Sequence, residues 1–461
     1  MRTYALLPPL FAVWVTACAP TSSPAPLPDD AGSPEDCVAP AVGVFEDGCA
    51  GSQRRRVEGG ANERGPYDVG ARTVTVGRLR TEVWYPAVPG SAACATPRVY
   101  DIRENLDANE ALKVSDEQNP WQPCDCAEGL PLDAEGGPFP LVVFVHGTAA
   151  FRTQSLGLVT QLASRGFVVM AADHPGLRLA DTLAPFCGYP GSGFRDLEAD
   201  ITALLEGAAA ADGELAFLAG HVDTSRVGLV GHSAGGSAVA QAASLPGVTA
   251  VAPLAGNVAV NVPGVRSVFL AALEDKVVAP SQTKNAFENS TGARGYVALA
   301  GSGHLAFSDL CETKNTAGQN LLDIATEVEL CGANLAGFLF DCDDSYAAQG
   351  VINAPFHAAV ISTLEEALFC RDSDLTLTLE GLEAVSEVVV VNESQGVVRA
   401  GSAAVVPFDA GCQRRVPDQD EATSTFVDLR TLLVPPEGLL SVPRPVEQRS
   451  SGAPPPGTQA G

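Results

Sequence analysis

The sequence predicts an α/β fold in which a mostly parallel sheet is covered by helices on both faces. Three observations carry that expectation. Eight short apolar runs recur between residues 72 and 300 and alternate with helical stretches. One of those runs, RVGLV, leads straight into Gly231-His232-Ser233-Ala234-Gly235, and an Ala-rich helical segment follows at once. At 461 residues and 46% apolar content, the chain can fill one large core and still carry appendages.

The expected strands are 72–76, 81–86, 140–146, 167–172, 226–230, 248–254, 266–273 and 295–300. Helices are expected near 154–165, 195–210, 234–244, 281–288 and 353–369. The run PFPLVVFV is apolar at every position rather than alternating, as a strand buried on both faces should be. Residues 374–440 are rich in Val, Leu and Thr with turn signals, so a small β-rich appendage is expected over 373–442. The Pro- and Gly-rich tail 443–461 reads as disordered.

The turn 231–235 is the centre of the functional reading. A sharp strand-to-helix turn forces its central Ser into a strained backbone and lifts the hydroxyl clear of the sheet, with Gly231 and Gly235 flanking it. A serine hydroxyl is a weak nucleophile at neutral pH and needs an imidazole to take its proton. In turns of this kind the partners follow in the order Ser, acid, His. Only His304 and His357 lie downstream of Ser233. His357 falls in a helical stretch, whereas His304 follows the strand-like YVALA in the loop Gly301-Ser302-Gly303-His304. Three acids stand between Ser233 and His304: Glu274, Asp275 and Glu288. Asp275 closes the apolar run VRSVFLAAL, Glu274 is its fallback neighbour, and Glu288 sits in a helical segment. The expected triad is Ser233, Asp275 and His304. The oxyanion would be met by the backbone N–H of Ala234, at the start of the following helix, and by that of Thr148, in the turn after PFPLVVFV. His146 precedes the nucleophile and is expected to shape that turn. His174, in Asp173-His174-Pro175-Gly176, is an expected pocket wall or simply part of a turn.

The chain resembles α/β-hydrolases of the group that joins dienelactone hydrolases, chlorophyllases, polyester hydrolases and class II platelet-activating-factor acetylhydrolases. The residues that carry the resemblance are GPYDVGARTVTV (65–76), EVWYPA (82–87), LVVFVHGTAAFRTQS (141–155), LASRGFVVMAADHPG (162–176), RVGLVGHSAGG (226–236), LEDKVV (273–278) and GSGHLAFSDLC (301–311). The resemblance implies an α/β-hydrolase fold with an eight-stranded sheet over 61–372. It also implies an esterase or lipase that acts on short or accessible acyl groups without a cofactor. Polyester or amide hydrolysis on the same fold, and a non-catalytic binding scaffold, are the alternatives. The stretch 88–137 is longer and richer in Cys than such a core needs, and the part after 372 has no counterpart.

A formal charge of −27 argues against nucleic acid as a partner, since neutralising phosphates takes clustered Lys and Arg. The one basic cluster, Arg54-Arg55-Arg56, lies in a linker and reads as solvated charge. The amino terminus reads as an export signal over 1–17, with Arg2 ahead of an apolar stretch, 4–15, too short to span a bilayer. Val15-Thr16-Ala17-Cys18 resembles the lipobox of bacterial lipoproteins, which implies lipidation of Cys18 and anchoring in the cell envelope, with the outer membrane favoured. Residues 18–60 then form a Pro/Ser-rich tether. Eleven further cysteines fit an oxidising compartment. Cys37 and Cys49 are expected to pair locally. Cys124 and Cys126 should each leave their loop, one of them toward Cys94, and a bridge among Cys311, Cys331 and Cys342 would brace the loop after His304. C-x-C with scattered partners is a poor zinc pattern, and no metal is expected.

Overall fold

A computed structural model describes residues 43–338, 340–342, 345–371 and 388–391. In chain order its strands are β1 (Phe45–Asp47), β2 (Gln53–Arg55), β3 (Asp68–Val76), β4 (Leu79–Ala87), β5 (Pro97–Tyr100), β6 (Gln122–Glu128), β7 (Phe139–Val145), β8 (Val168–Ala172), β9 (Val222–His232), β10 (Val248–Leu254), β11 (Arg266–Ala272), β12 (Arg294–Leu299) and β13 (Val388–Val391). Its α-helices are α1 (Ala108–Ala111), α2 (Leu156–Ser164), α3 (Leu179–Cys187), α4 (Leu197–Ala210), α5 (Ala234–Gln241), α6 (Pro280–Glu288), α7 (Leu321–Glu327) and α8 (Gln349–Leu368).

β1 and β2 pair with each other, and the other strands form one sheet in the order β13-β12-β11-β10-β9-β7-β8-β4-β3-β6-β5. From β12 to β8 every neighbour is parallel. β4 then runs antiparallel to both β8 and β3. This is the α/β-hydrolase fold, and β3, β4 and β7 to β12 are its eight expected strands. The sheet nevertheless has eleven. β6 and β5 extend one edge and β13 caps the other as an antiparallel partner of β12. β5 and β13 have four residues each, and β5 and β6 (PRVY and QPCDCAE) lack the apolar runs that mark the central strands. Of the expected appendage only β13 is described; the rest of 373–442 and the tail lie outside the described residues.

β7 and β8 are buried at every position, so helices must cover both faces. One core layer packs α2 and α8 against the sheet through Leu158, Leu162, Phe356 and Leu364. The other packs α4, α5 and α6 through Ile201, Leu204, Val239 and Phe287.

The structure corrects the reading of 43–60 as tether. Arg54 and Arg55 are buried in the body. Arg54 pairs with Glu46 at 2.7 Å and Glu365 at 2.9 Å, and Arg55 with Asp133 and Glu135. Cys49 is bonded to Cys370, not to Cys37. Cys124 and Cys126 are bonded to each other, against expectation, with Cα atoms 5.0 Å apart across one intervening residue. Cys187–Cys331 ties α3 to the insertion after His304, and Cys311–Cys342 closes that insertion on itself, as the crowding of cysteines there suggested. Cys94 is also disulfide-bonded.

Candidate active site

The turn between β9 and α5 exists because three backbones meet there. Ser233 has φ 57° and ψ −117°, a conformation that a non-glycine residue adopts only under constraint. Its N–H donates to the Leu254 carbonyl at 2.8 Å, which fastens the turn to the end of β10. A Cβ at Gly231 would lie 2.4 Å from the Gly235 carbonyl oxygen, and one at Gly235 would lie 2.2 Å from that of Val145. Both obstacles are backbone atoms, so neither position can take a side chain without moving an element.

Two neighbouring strands deliver the partners to the same rim. β11 ends at Ala272 and Asp275 follows in the next turn; β12 ends at Leu299 and His304 opens a short 3-10 turn, His304–Phe307. His304 Nδ1 lies 2.8 Å from Asp275 Oδ2, and His304 Nε2 lies 3.0 Å from Ser233 Oγ. The other carboxylate oxygen of Asp275 accepts the N–H groups of Val277 and Val278, each at 2.8 Å. The carboxylate is thus fixed as an acceptor on both sides. Nδ1 of His304 carries the proton and Nε2 presents a lone pair to the Ser233 hydroxyl. Asp275 and His304 are buried and Ser233 is partly accessible, so a reactant reaches only the serine end of the chain. Glu274 points to solvent, and His357 lies on α8 with Nδ1 2.6 Å from Gln161 Oε1.

Thr148 is exposed in the turn after β7, and a Cβ on Gly147 beside it would come within 3.4 Å of Ser233 Cβ. The turn is therefore packed against Ser233. Ala234 opens α5, where the first N–H groups have no intrahelical acceptor. Among the described residues, neither the Thr148 nor the Ala234 N–H donates to a protein acceptor. His146 holds the turn from below: Nδ1–H donates to the Gly147 carbonyl at 2.8 Å and Nε2 accepts the His174 N–H at 3.2 Å. Burial pushes the His146 imidazole down to about 3, so it stays neutral.

His174 does not form a pocket wall. It follows β8 and is fully buried, with Nδ1 3.2 Å from Oδ2 of Asp200 on α4. Cys18 lies outside the described residues. Two residues near the site carry no signal of their own in the sequence. Asp341 accepts the N–H groups of both His304 and Leu305, and its neighbour Cys342 is locked to Cys311. Gln154 is buried between the Thr148 turn and His232. Neither lies in a pattern that periodicity or spacing reveals, since their partners are remote in the chain.

Residues 130–320 match the PETase family model, described as PET hydrolase-like. The matched span holds the parallel strands β7 to β12 together with Thr148, Ser233, Ala234, Asp275 and His304. The PET hydrolase-like match identifies the core as that of an ester-bond hydrolase of the α/β-hydrolase type. Among curated proteins, none matches the chain.

Proposed function

We propose that the protein is a serine ester hydrolase that works through an acyl-enzyme intermediate at Ser233. The observation that carries this reading is the unbroken hydrogen-bond chain from Asp275 through His304 to a serine held at positive φ. Ser233 Oγ attacks the ester carbonyl carbon while His304 Nε2 takes its proton. The tetrahedral oxyanion accepts the N–H groups of Thr148 and Ala234, which have no protein acceptor among the described residues. Its collapse breaks the C–O bond, and the alcohol leaves with the proton held by His304. Water then attacks the acyl-enzyme, gives a proton to His304, and the acid departs as Ser233 regains its hydrogen.

The favoured substrates are short-acyl esters, acetylated phospholipids or small esters among them. The disulfides Cys187–Cys331 and Cys311–Cys342 support this choice, since they stiffen the rim where a mobile lid would otherwise sit. A second reading, polyester hydrolysis, is favoured by the PET hydrolase-like match. The cell envelope, reached through lipid on Cys18, is the proposed location, and it rests on residues 1–18 alone; a mature protein that starts elsewhere than Cys18 would refute it. Among the described residues, no helix is long and apolar enough to cross a membrane.

Covalent labelling by a fluorophosphonate tests the chemistry. The folded protein should label and Ser233→Ala should not; equal behaviour of the two would make the fold a binding scaffold. A panel of p-nitrophenyl esters from acetyl to palmitoyl, phospholipids, amides and polyester film then ranks the substrates. Activity should fall from short to long acyl chains without a rise at a lipid interface. A maximum at palmitoyl would reject the short-acyl reading.

A further inference from the structure

Gln154 stands in the segment between β7 and α2, with no access to solvent and every polar group of its side chain engaged. Its Oε1 accepts the Gly147 N–H at 2.9 Å, and its Nε2 lies 3.1 Å from His232 Nδ1. The other nitrogen of His232, Nε2, is 2.9 Å from the His304 carbonyl oxygen. These contacts form one line: Gly147, Gln154, His232, His304. The role of every atom in it is forced from the ends. A backbone N–H can only donate, so the Gln154 oxygen must face Gly147 and its NH2 must face His232. A backbone carbonyl can only accept, so His232 Nε2 must carry the hydrogen. His232 Nδ1 is then the bare nitrogen that receives the Gln154 N–H, and the two ends agree.

Each end and the middle of this line stand one residue or less from a reacting group. Gly147 precedes Thr148, His232 precedes Ser233, and the last acceptor is the carbonyl of His304 itself. We infer that Gln154 and His232 are positioning residues that set the distance between the oxyanion turn, the nucleophile and the base. Neither touches substrate. The backbone of Gln154 adds a fourth tie, since its carbonyl accepts the Asp309 N–H at 3.0 Å from the stretch just after the base turn.

The line also fixes a charge. The His232 and His304 rings lie 4.7 Å apart, and His304 becomes an imidazolium in each half of the reaction. A second positive charge at that distance would oppose it. Gln154 prevents this by presenting a donor to Nδ1, which leaves no acceptor for a second proton. The groups that face His232 are His304 from the base turn and His146 from the end of β7, with Asp275 and His174 behind them. Burial pushes the His232 imidazole well below its ordinary value, which agrees with the neutral form. Gln154→Glu would keep the acceptor for Gly147 but replace the donor by a carboxylate, and His232 would then gain a proton on Nδ1.

The inference rests on Ser233 chemistry, so wild-type turnover of p-nitrophenyl butyrate is measured first; its absence would count against the proposed function, not against the line. Gln154→Leu removes the contacts to Gly147 and His232, with a longer one to Ser155 Oγ at 3.4 Å, and should lower kcat by roughly 10- to 100-fold with KM within about twofold, since misplacements near 1 Å cost that much. The double variant Gln154→Leu/His232→Phe should be no slower than the worse single one, because both break the same line. Gln154→Glu keeps size and fold and should add a second ionisation to the acid limb of kcat/KM. Wild-type kcat in Gln154→Leu, multiplied losses in the double variant, or an unchanged pH profile in Gln154→Glu would overturn the assignment. Gln154→Glu still decides the matter if Gln154→Leu fails to fold.

Discussion

Asp275 uses both of its oxygens, one on His304 and the other on two backbone N–H groups. In Asp275→Asn those N–H groups would still claim the amide oxygen, so the NH2 would face His304 Nδ1. The imidazole would have to switch tautomer and point an N–H at Ser233, where a lone pair is needed. We expect kcat to fall by about 10³- to 10⁴-fold with little change in melting temperature. His357→Leu, on α8 and bonded only to Gln161, should keep full turnover of p-nitrophenyl butyrate. Loss of activity in His357→Leu, with Asp275→Asn intact, would dismantle the triad. The members of this triad were legible because each follows a strand-like run and the order Ser, acid, His leaves few choices. Asp341 and Gln154 were not. Their importance comes from backbone groups of remote segments, and a backbone N–H leaves no mark in a residue string.

α3 and the insertion after His304 meet through Cys187–Cys331, and Leu183 of α3 closes over Gly332 beside it. Lys113, just past α1, reaches the Glu329 carbonyl at 3.0 Å from the other side. Three separate insertions thus brace one another on the rim above the sheet. Replacing both Cys187 and Cys331 by Ala should cost about 2–4 kcal/mol in chemical denaturation, as opening a long covalent loop does. The same variant should accept longer acyl chains than wild type, read from its p-nitrophenyl ester profile. An unaltered profile would mean that the rim does not select chain length. At this scale the eight central strands and five helices could be read from apolar runs and helical periodicity. The edge strands β5 and β6 could not, since a segment without an apolar run becomes a strand only when a neighbour offers an open edge. Arg54 and Arg55 misled for a related reason: they read as solvated charge until Glu365, Asp133 and their other partners are brought beside them by the fold.

For the molecule as a whole, three buried neutral histidines dominate the response to acid. Burial pushes His146 and His357 down to about 3 and His232 well below its ordinary 6.5. The unfolded chain binds these protons readily and the folded one does not, so stability present above pH 6.5 is lost as pH falls toward 3. His146 and His357 should each cost about 2 kcal/mol at pH 5, and His232 acts in the same direction. Asp309, pushed up to about 6 by burial, works in the opposite sense and offsets about 1 kcal/mol over that range. Melting temperature should therefore drop steeply between pH 6.5 and 5, and less so in His357→Gln. A flat curve over that interval would show that these histidines titrate freely in the folded state. The Cys49–Cys370 bond bears on a different kind of stress. It joins the chain just after β1 to the end of α8, with strands β2 to β12 in the loop between. Tension applied ahead of residue 49 and behind residue 370 meets the pairings of β1 with β2 and of β13 with β12, and beyond them runs through that one covalent bond rather than through the strands of the loop. A pull that would unzip an open chain leaves Ser233, Asp275 and His304 outside the load path.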